Sequence, residues 1–263
     1  LVADGAPDDL MRDIGATVVQ IESRNSRKVR NAILQAPELW HVAQLGNGDV
    51  LVSFFDSVYY TEDGKRKRDA QTYVVRSSDG GKTWGPRQKI VRVEGDLPIN
   101  PLAAAQNLDR PGDNTVNNPV AIVDHETDAI HFLYCLEYMR CFYMRSDDDG
   151  ATWTEPVEIT KTFEDFRSDY DWKILATGPA HGIQLTRGPK RGQLVVPVWL
   201  SLGTGHNAHR PSVTATIYSD DHGRTWKRGD IAVPDTPEFI FPNETVVAQL
   251  ADGSVMLNSR SES

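Results

Sequence analysis

A handful of carboxylates and arginines carry the chemistry this chain could do. Glu244 stands in Phe241-Pro242-Asn243-Glu244-Thr245, where a loop runs into an apolar, strand-like stretch. Arg260 closes the next such stretch, sixteen residues later (260 − 244). Asp69 precedes Thr72-Tyr73-Val74-Val75, with Asp63 as its competitor, and Arg210 sits before Pro211-Ser212. A carboxylate can act as a general base or acid. A guanidinium fork matches a carboxylate or another planar anion. On residue type alone, each of these is equally a solvated loop carboxylate or a strand-end cation. His181, His206 and His209 lie near loops, and Trp172 follows Asp169-Tyr170-Asp171. A histidine of this kind is usually structural, and the tryptophan either packs or stacks on a sugar ring.

Charge narrows the choice. The 263 residues carry a formal net charge of −9, with 25% charged and 39% hydrophobic residues. Such a surface argues against nucleic acid or an anionic membrane as partner. An anionic ligand would need a local arginine cluster. No apolar run reaches the length of a membrane span. The two cysteines, Cys135 and Cys141, make neither a disulfide scaffold nor a metal-binding spacing. They read as two half-buried thiols on a strand pair, six residues apart, where a cross-strand bridge could form. No cofactor or metal site is expected.

The elements that position these residues come from a repeat. Ser77–Trp84, Ser146–Trp153 and Ser219–Trp226 each read S-x-D-x-G-x-T-W. Their starts are 69 (146 − 77) and 73 (219 − 146) residues apart. Asp and Gly build a tight turn, Ser and Thr bond across it, and Trp anchors it on an apolar body. The aspartates read as turn formers rather than calcium ligands. Each box follows a β-branched or aromatic run: Thr72–Val75, Cys141–Met144 and Thr214–Tyr218. Further apolar runs meet at turns such as Asn47-Gly48-Asp49 and Ala251-Asp252-Gly253, which are hairpin signals. No window shows a helical period. Several short strands per repeat describe an all-β propeller. The surplus length falls in Gly95–Asn117 and Lys161–Leu175, expected to be functional loops.

The box, together with Ala176–Leu185, Arg191–Pro197, Asn243-Glu244-Thr245 and Asn258-Ser259-Arg260, resembles the sialidase (neuraminidase) superfamily from about residue 40 onward. The resemblance implies a six-bladed β-propeller, of which residues 1–263 form a single domain covering about four blades and cut at both ends. The blades fall at roughly 35–95, 110–160 and 175–235, with a fourth starting at 240. It implies an exo-glycosidase that removes terminal sialic acid, or a related 2-keto acidic sugar, from glycans with retention. It also points to secretion or the periplasm, although the residues themselves leave the compartment unread.

The same resemblance assigns roles. Glu244 becomes the base beside a tyrosine nucleophile, which is an exception to the two-carboxylate scheme. Asp69 becomes the acid/base and Arg260 a substrate-carboxylate ligand; Arg210, read from its place before Pro211-Ser212 and not from the resemblance, is either a second anion contact or a surface charge. The nucleophile and a third arginine are expected beyond Ser263, so these residues alone should turn over almost nothing. One position departs from the pattern. Glu38-Leu39-Trp40 stands where the family carries its first arginine, with Arg24, Arg27 and Arg30 upstream. That departure keeps two alternatives open: a glycosidase for another acidic sugar, or a non-catalytic carbohydrate-binding propeller.

Overall fold

The computed structural model describes residues 42–45, 48–62, 64–91, 93, 97–105, 115–204 and 207–261. Glu38, the three upstream arginines, Asp63 and His206 lie outside them.

The described chain forms four antiparallel sheets laid down in sequence order. The first is a meander of β1 (Val42–Gln44), β2 (Val50–Glu62), β3 (Lys65–Ser77) and β4 (Gln88–Val91). The second is built from β5 (Val116–Asp124), β6 (Ala129–Leu136), β7 (Arg140–Ser146) and β8 (Val157–Glu158). In the third, β9 (Ile174–Thr177) and β11 (Ile183–Gln184) both pair with β12 (Leu194–Ser201), followed by β13 (Ser212–Ser219) and β14 (Lys227–Val233). The fourth is the pair β15 (Thr245–Gln249) and β16 (Val255–Ser259). A short strand, β10 (Ala180–His181), leaves the third sheet and runs parallel to β5 of the second. It stitches two neighbouring blades together. Two helices of four residues each, α1 (Pro101–Ala104) and α2 (Lys161–Glu164), occupy the two long loops.

Strand β6 shows why the sheets stack as blades. Its eight residues, Ala-Ile-His-Phe-Leu-Tyr-Cys-Leu, are all buried. A strand exposes alternate residues to opposite faces. Ile130, Phe132 and Tyr134 join Leu51, Val74 and Val91 of the first sheet. Leu133 and Cys135 join Leu194, Val196 and Val198 of the third. Both faces are therefore covered, and the strand is apolar at every position but His131 rather than alternating. Cys135 and Cys141 are free and fully buried, not half-buried, because they sit in this second core layer.

The three boxes have one geometry. In the second, Ser146 Oγ donates to Asp148 Oδ1 at 2.8 Å and accepts from the Gly150 amide at 2.9 Å. The Thr152 amide and hydroxyl then donate to the two Asp148 oxygens at 2.7 and 2.6 Å. The same four bonds recur around Asp79 and Asp221. Each aspartate is thus spent on its own turn. The hydrogen bonds from Thr83, with Ser77, hold Asp79 down to a pKa of about 2. Those from Thr152 lower Asp148. Burial pushes Asp221 up, but Thr225 and Ser219 bring it below the usual range.

The boxes also join blades. The residue before the box glycine is left-handed in each: Gly80, Asp149 and His222, with φ of 70°, 57° and 57°. Arg76 of the first sheet reaches the Asp149 carbonyl, and Arg145 of the second reaches the His222 carbonyl at 3.1 Å. Every later turn leans on the preceding blade. At the second junction the seam also holds a buried polar cluster. Asp124, fully buried, accepts from His222 Nδ1 at 2.7 Å and from Gln184 Nε2 at 2.6 Å. His131 Nε2 lies 3.5 Å from it, and His131 Nδ1 meets the Tyr143 hydroxyl at 2.8 Å. Desolvation lowers the His131 pKa to about 4, against the pull of Asp124. It raises that of Tyr143 to about 12.

Candidate active site

The boxes mark one end of the first three sheets, because each follows the third strand of its meander. The opposite end collects the start of the first strand and the turn between the second and third. In the second sheet these are 115–118 and 137–139. In the third they include 202–204 and 207–211. In the fourth they are Asn243-Glu244 and Ser259-Arg260. Function is to be sought where these loops converge.

Glu244 and Arg260 meet there. They continue the β15–β16 register one step beyond Thr245↔Ser259. The Arg260 amide donates to the Glu244 carbonyl at 2.8 Å, and the Asn243 amide to the Arg260 carbonyl at 3.0 Å. Arg260 Nη1 then lies 2.9 Å from Glu244 Oε2. The two side chains are 47% and 40% exposed, so the pair faces solvent. What holds it in place is buried below. Asn243 is 1% exposed, and its Oδ1 accepts the Glu244 amide at 2.7 Å. The Asn243 carbonyl accepts from the Thr245 and Thr214 hydroxyls at 2.6 and 3.2 Å. Thr245 Oγ1 also meets Ser259 Oγ at 2.8 Å, and its amide reaches the Gly178 carbonyl of the preceding sheet. An exposed ion pair is worth only about 0–1 kcal/mol, whereas this satisfied hydroxyl network fixes the backbone that carries it.

Arg210 borders the same end. Its guanidinium stacks over Phe241, 5.4 Å from the ring centroid. The intervening loop is pinned by Ser261 Oγ on the Ile240 carbonyl at 2.7 Å and by the Phe241 amide on Asp235 at 3.0 Å. Asp69 lies inside β3, opposite Val58, rather than in a loop. The basic run Lys65–Arg68 is strand as well, because the β2–β3 ladder continues unbroken to Glu62↔Lys65. Among the described residues β1 pairs with Val50–Val52 and β4 with Thr72–Val74, both at the box end of the hairpin.

Other expected candidates do not reach this end as site groups. His181 is held on its own seam, where Nε2 meets the Val247 carbonyl at 3.1 Å and burial lowers its pKa. Trp172 is 2% exposed, donates to the Phe163 carbonyl at 2.7 Å and carries the Arg167 guanidinium on its face. It packs; it offers no sugar platform. His209 joins Trp199 and Tyr138 in an aromatic group, 5.1 and 6.4 Å between ring centroids.

One residue at this end escaped the sequence reading. Glu137 makes the β6–β7 turn together with Tyr138, with φ of 53° each. Glu137 is 1% exposed, and the Thr115 amide donates to its Oε1. The signal was an acidic residue directly after a strand-length run that is apolar but for His131. Among the described residues no group of three or more His, Cys, Asp or Glu is placed to hold a metal. No helix there is long and apolar enough to cross a membrane.

Three meander sheets and a further strand pair, with box turns at one end of the first three and an exposed carboxylate–guanidinium pair at the opposite end, belong to a β-propeller fold. The chain belongs to the BNR repeat-like domain family, which matches residues 51–263, and with it to the sialidase superfamily. It is 30% identical to a sialidase of Micromonospora viridifaciens over 203 residues, 70% of this chain and 27% of that protein. It is 27% identical to a Bacteroides fragilis sialidase, over 81% of this chain and 38% of that one. Among solved structures, Hadza microbial sialidase Hz136 superposes with a TM-score of 0.59 at 25% identity, covering 84% of this chain and 41% of that one. The intramolecular trans-sialidase from Ruminococcus gnavus, in complex with oseltamivir carboxylate, gives 0.62 at 16% identity over 84% and 65%. The chain thus spans well under half the length of the curated relatives it matches.

Proposed function

We propose that this chain is part of an exo-glycosidase that removes terminal sialic acid, or a close 2-keto acidic sugar, from glycans. The carrying observation is the Glu244–Arg260 pair, 2.9 Å apart and open to solvent at the end away from the boxes. Arg260 offers the planar donor edge that a sugar carboxylate takes. Glu244 offers an acceptor through which a neutral hydroxyl nucleophile can lose its proton. In this reading the nucleophile is a tyrosine outside these residues, and the reaction proceeds with retention. A neutral nucleophile avoids repulsion by the substrate carboxylate. Asp69, on the β2–β3 hairpin, is the proposed acid/base, and Arg210 a further anion contact. Neighbours named sialidases and trans-sialidases support the reading, one of them holding a carboxylate ligand. Glu38 in place of the expected arginine favours a second reading, a glycosidase for a different acidic sugar.

The test is hydrolysis of a fluorogenic sialoside by the full-length protein beside Glu244→Ala. The expected result is turnover in the parent and a loss of about 10²–10⁴-fold in a folded variant. A folded parent that leaves the sialoside intact overturns the sialidase reading and transfers weight to the other acidic sugars.

A further inference from the structure

The structure assigns Cys135 and Cys141 as a cross-strand disulfide site, formed when the chain folds in an oxidising medium. This site does not depend on the sugar taken at the mouth. The two residues are exact partners in the β6–β7 register. Antiparallel partners come in two kinds. In one, the two residues exchange both backbone hydrogen bonds. In the other, the backbone groups point outward and the Cα atoms approach to about 4.5 Å. Cys141 is of the second kind. Its amide donates to Thr160 Oγ1 at 2.9 Å, and its carbonyl accepts from the Ile159 amide at 2.8 Å. Both groups therefore point to the outer side of the sheet and away from β6. The pair falls inside the Cα separation that a disulfide spans, about 4.4–6.8 Å. Register partners project from one face of the sheet, so the two thiols share the core layer between the second and third sheets.

Both thiols are fully buried, so an oxidant cannot reach them in the folded blade. The bond must form as the hairpin closes. With oxidised glutathione, one cysteine thiolate attacks the glutathione disulfide and releases one glutathione thiol. The second cysteine then displaces the other glutathione, and the Cys135–Cys141 bond forms. Two protons and two electrons pass to the two glutathione molecules. The bond would staple β6 to β7 directly beneath the Glu137-Tyr138-Met139 turn. The Tyr138 carbonyl of that turn accepts from the Leu175 amide of the next sheet at 2.9 Å, so the staple would firm a loop at the active end.

The full-length protein is refolded with oxidised and reduced glutathione, denatured, treated with iodoacetamide and weighed intact. The expected product carries no label at these positions and is lighter by two hydrogens than the unalkylated protein refolded in dithiothreitol. Trypsin cuts after Arg140, so the bond should join two peptides. The oxidised form should melt about 4 °C higher than the reduced form, and Cys141→Ser should abolish that difference. Two labelled cysteines per chain after oxidative refolding, or a persisting glutathione adduct, would overturn the assignment. The mass measurement decides this even if Cys141→Ser does not fold.

Discussion

Glu244 and Arg260 hold each other in water, where the attraction is largely offset by solvation. Removing one partner therefore barely touches the fold and falls on ligand binding instead. Arg260→Lys keeps the charge and loses the planar fork. We expect the KM for sialosides to rise about tenfold, with Tm within about 1 °C of the parent. Kinetics and melting curves on one preparation check both. Asp69 can be tested through the leaving group. A general acid matters most when the departing alcohol is a poor leaving group. Asp69→Asn should cost about 10²-fold on sialyllactose and only a few-fold on an activated aryl sialoside. Equal losses on both substrates would remove Asp69 from the acid role.

The box turn is the element that converts local sequence into blade assembly. Asp221 takes three hydrogen bonds from Ser219 and Thr225. Its replacement by Ala should destabilise by about 1–2 kcal/mol, read by urea melts. Two turn glycines, Gly80 just before the first box glycine and Gly223 the third box glycine itself, separate turn strain from blade contact. Gly80 has φ of +70°, and an added Cβ there meets nothing within 4 Å. Gly223 has φ of +79°, but its Cβ would stand 2.4 Å from the Tyr143 hydroxyl and 2.7 Å from His131 Nδ1. Gly80→Ala should cost only the left-handed backbone strain, about 1 kcal/mol. Gly223→Ala should cost about 2 kcal/mol more, because it pushes the third turn off the second blade. Similar losses at both sites would mean that the seam yields freely.

At the scale of the whole molecule, the seams set the response to acid. His131 is buried and neutral, with a pKa of about 4 in the folded chain against 6.5 for an ordinary histidine. Between those values the unfolded chain binds a proton that the folded chain refuses, so stability falls as pH drops from about 6.5 toward 4. His181, also lowered by burial on the next seam, acts with the same sign. Asp124, held as a carboxylate by His222 and Gln184, stays charged across this window. Tm measured from pH 7 to 4 should fall, and His131→Gln should flatten the slope even if it lowers the plateau. An unchanged slope would place the acid-labile group elsewhere.

The box motif, the hairpin turns and the strand runs were legible in the sequence because each is governed by contacts a few residues apart. Ser, Asp, Gly and Thr at fixed spacing close the same four hydrogen bonds wherever they occur. The uniform burial of β6 was legible only as apolarity, since covering both of its faces requires neighbours from two other sheets. Asp69 and Lys65–Arg68 looked like a loop because charge usually marks solvent, yet pairing with β2 draws them into a strand. Glu137 passed unnoticed, because only the tertiary structure brings Thr115 across to its carboxylate. Glu244 and Arg260 stood out as residues, but their contact depends on the register of β15 and β16. Their exposure depends on which end of the sheets the boxes leave open. Sequence determined what each turn and strand could be, through local bonding. Tertiary structure decided which side chains share a seam or a mouth, because that depends on contacts between residues far apart in the chain.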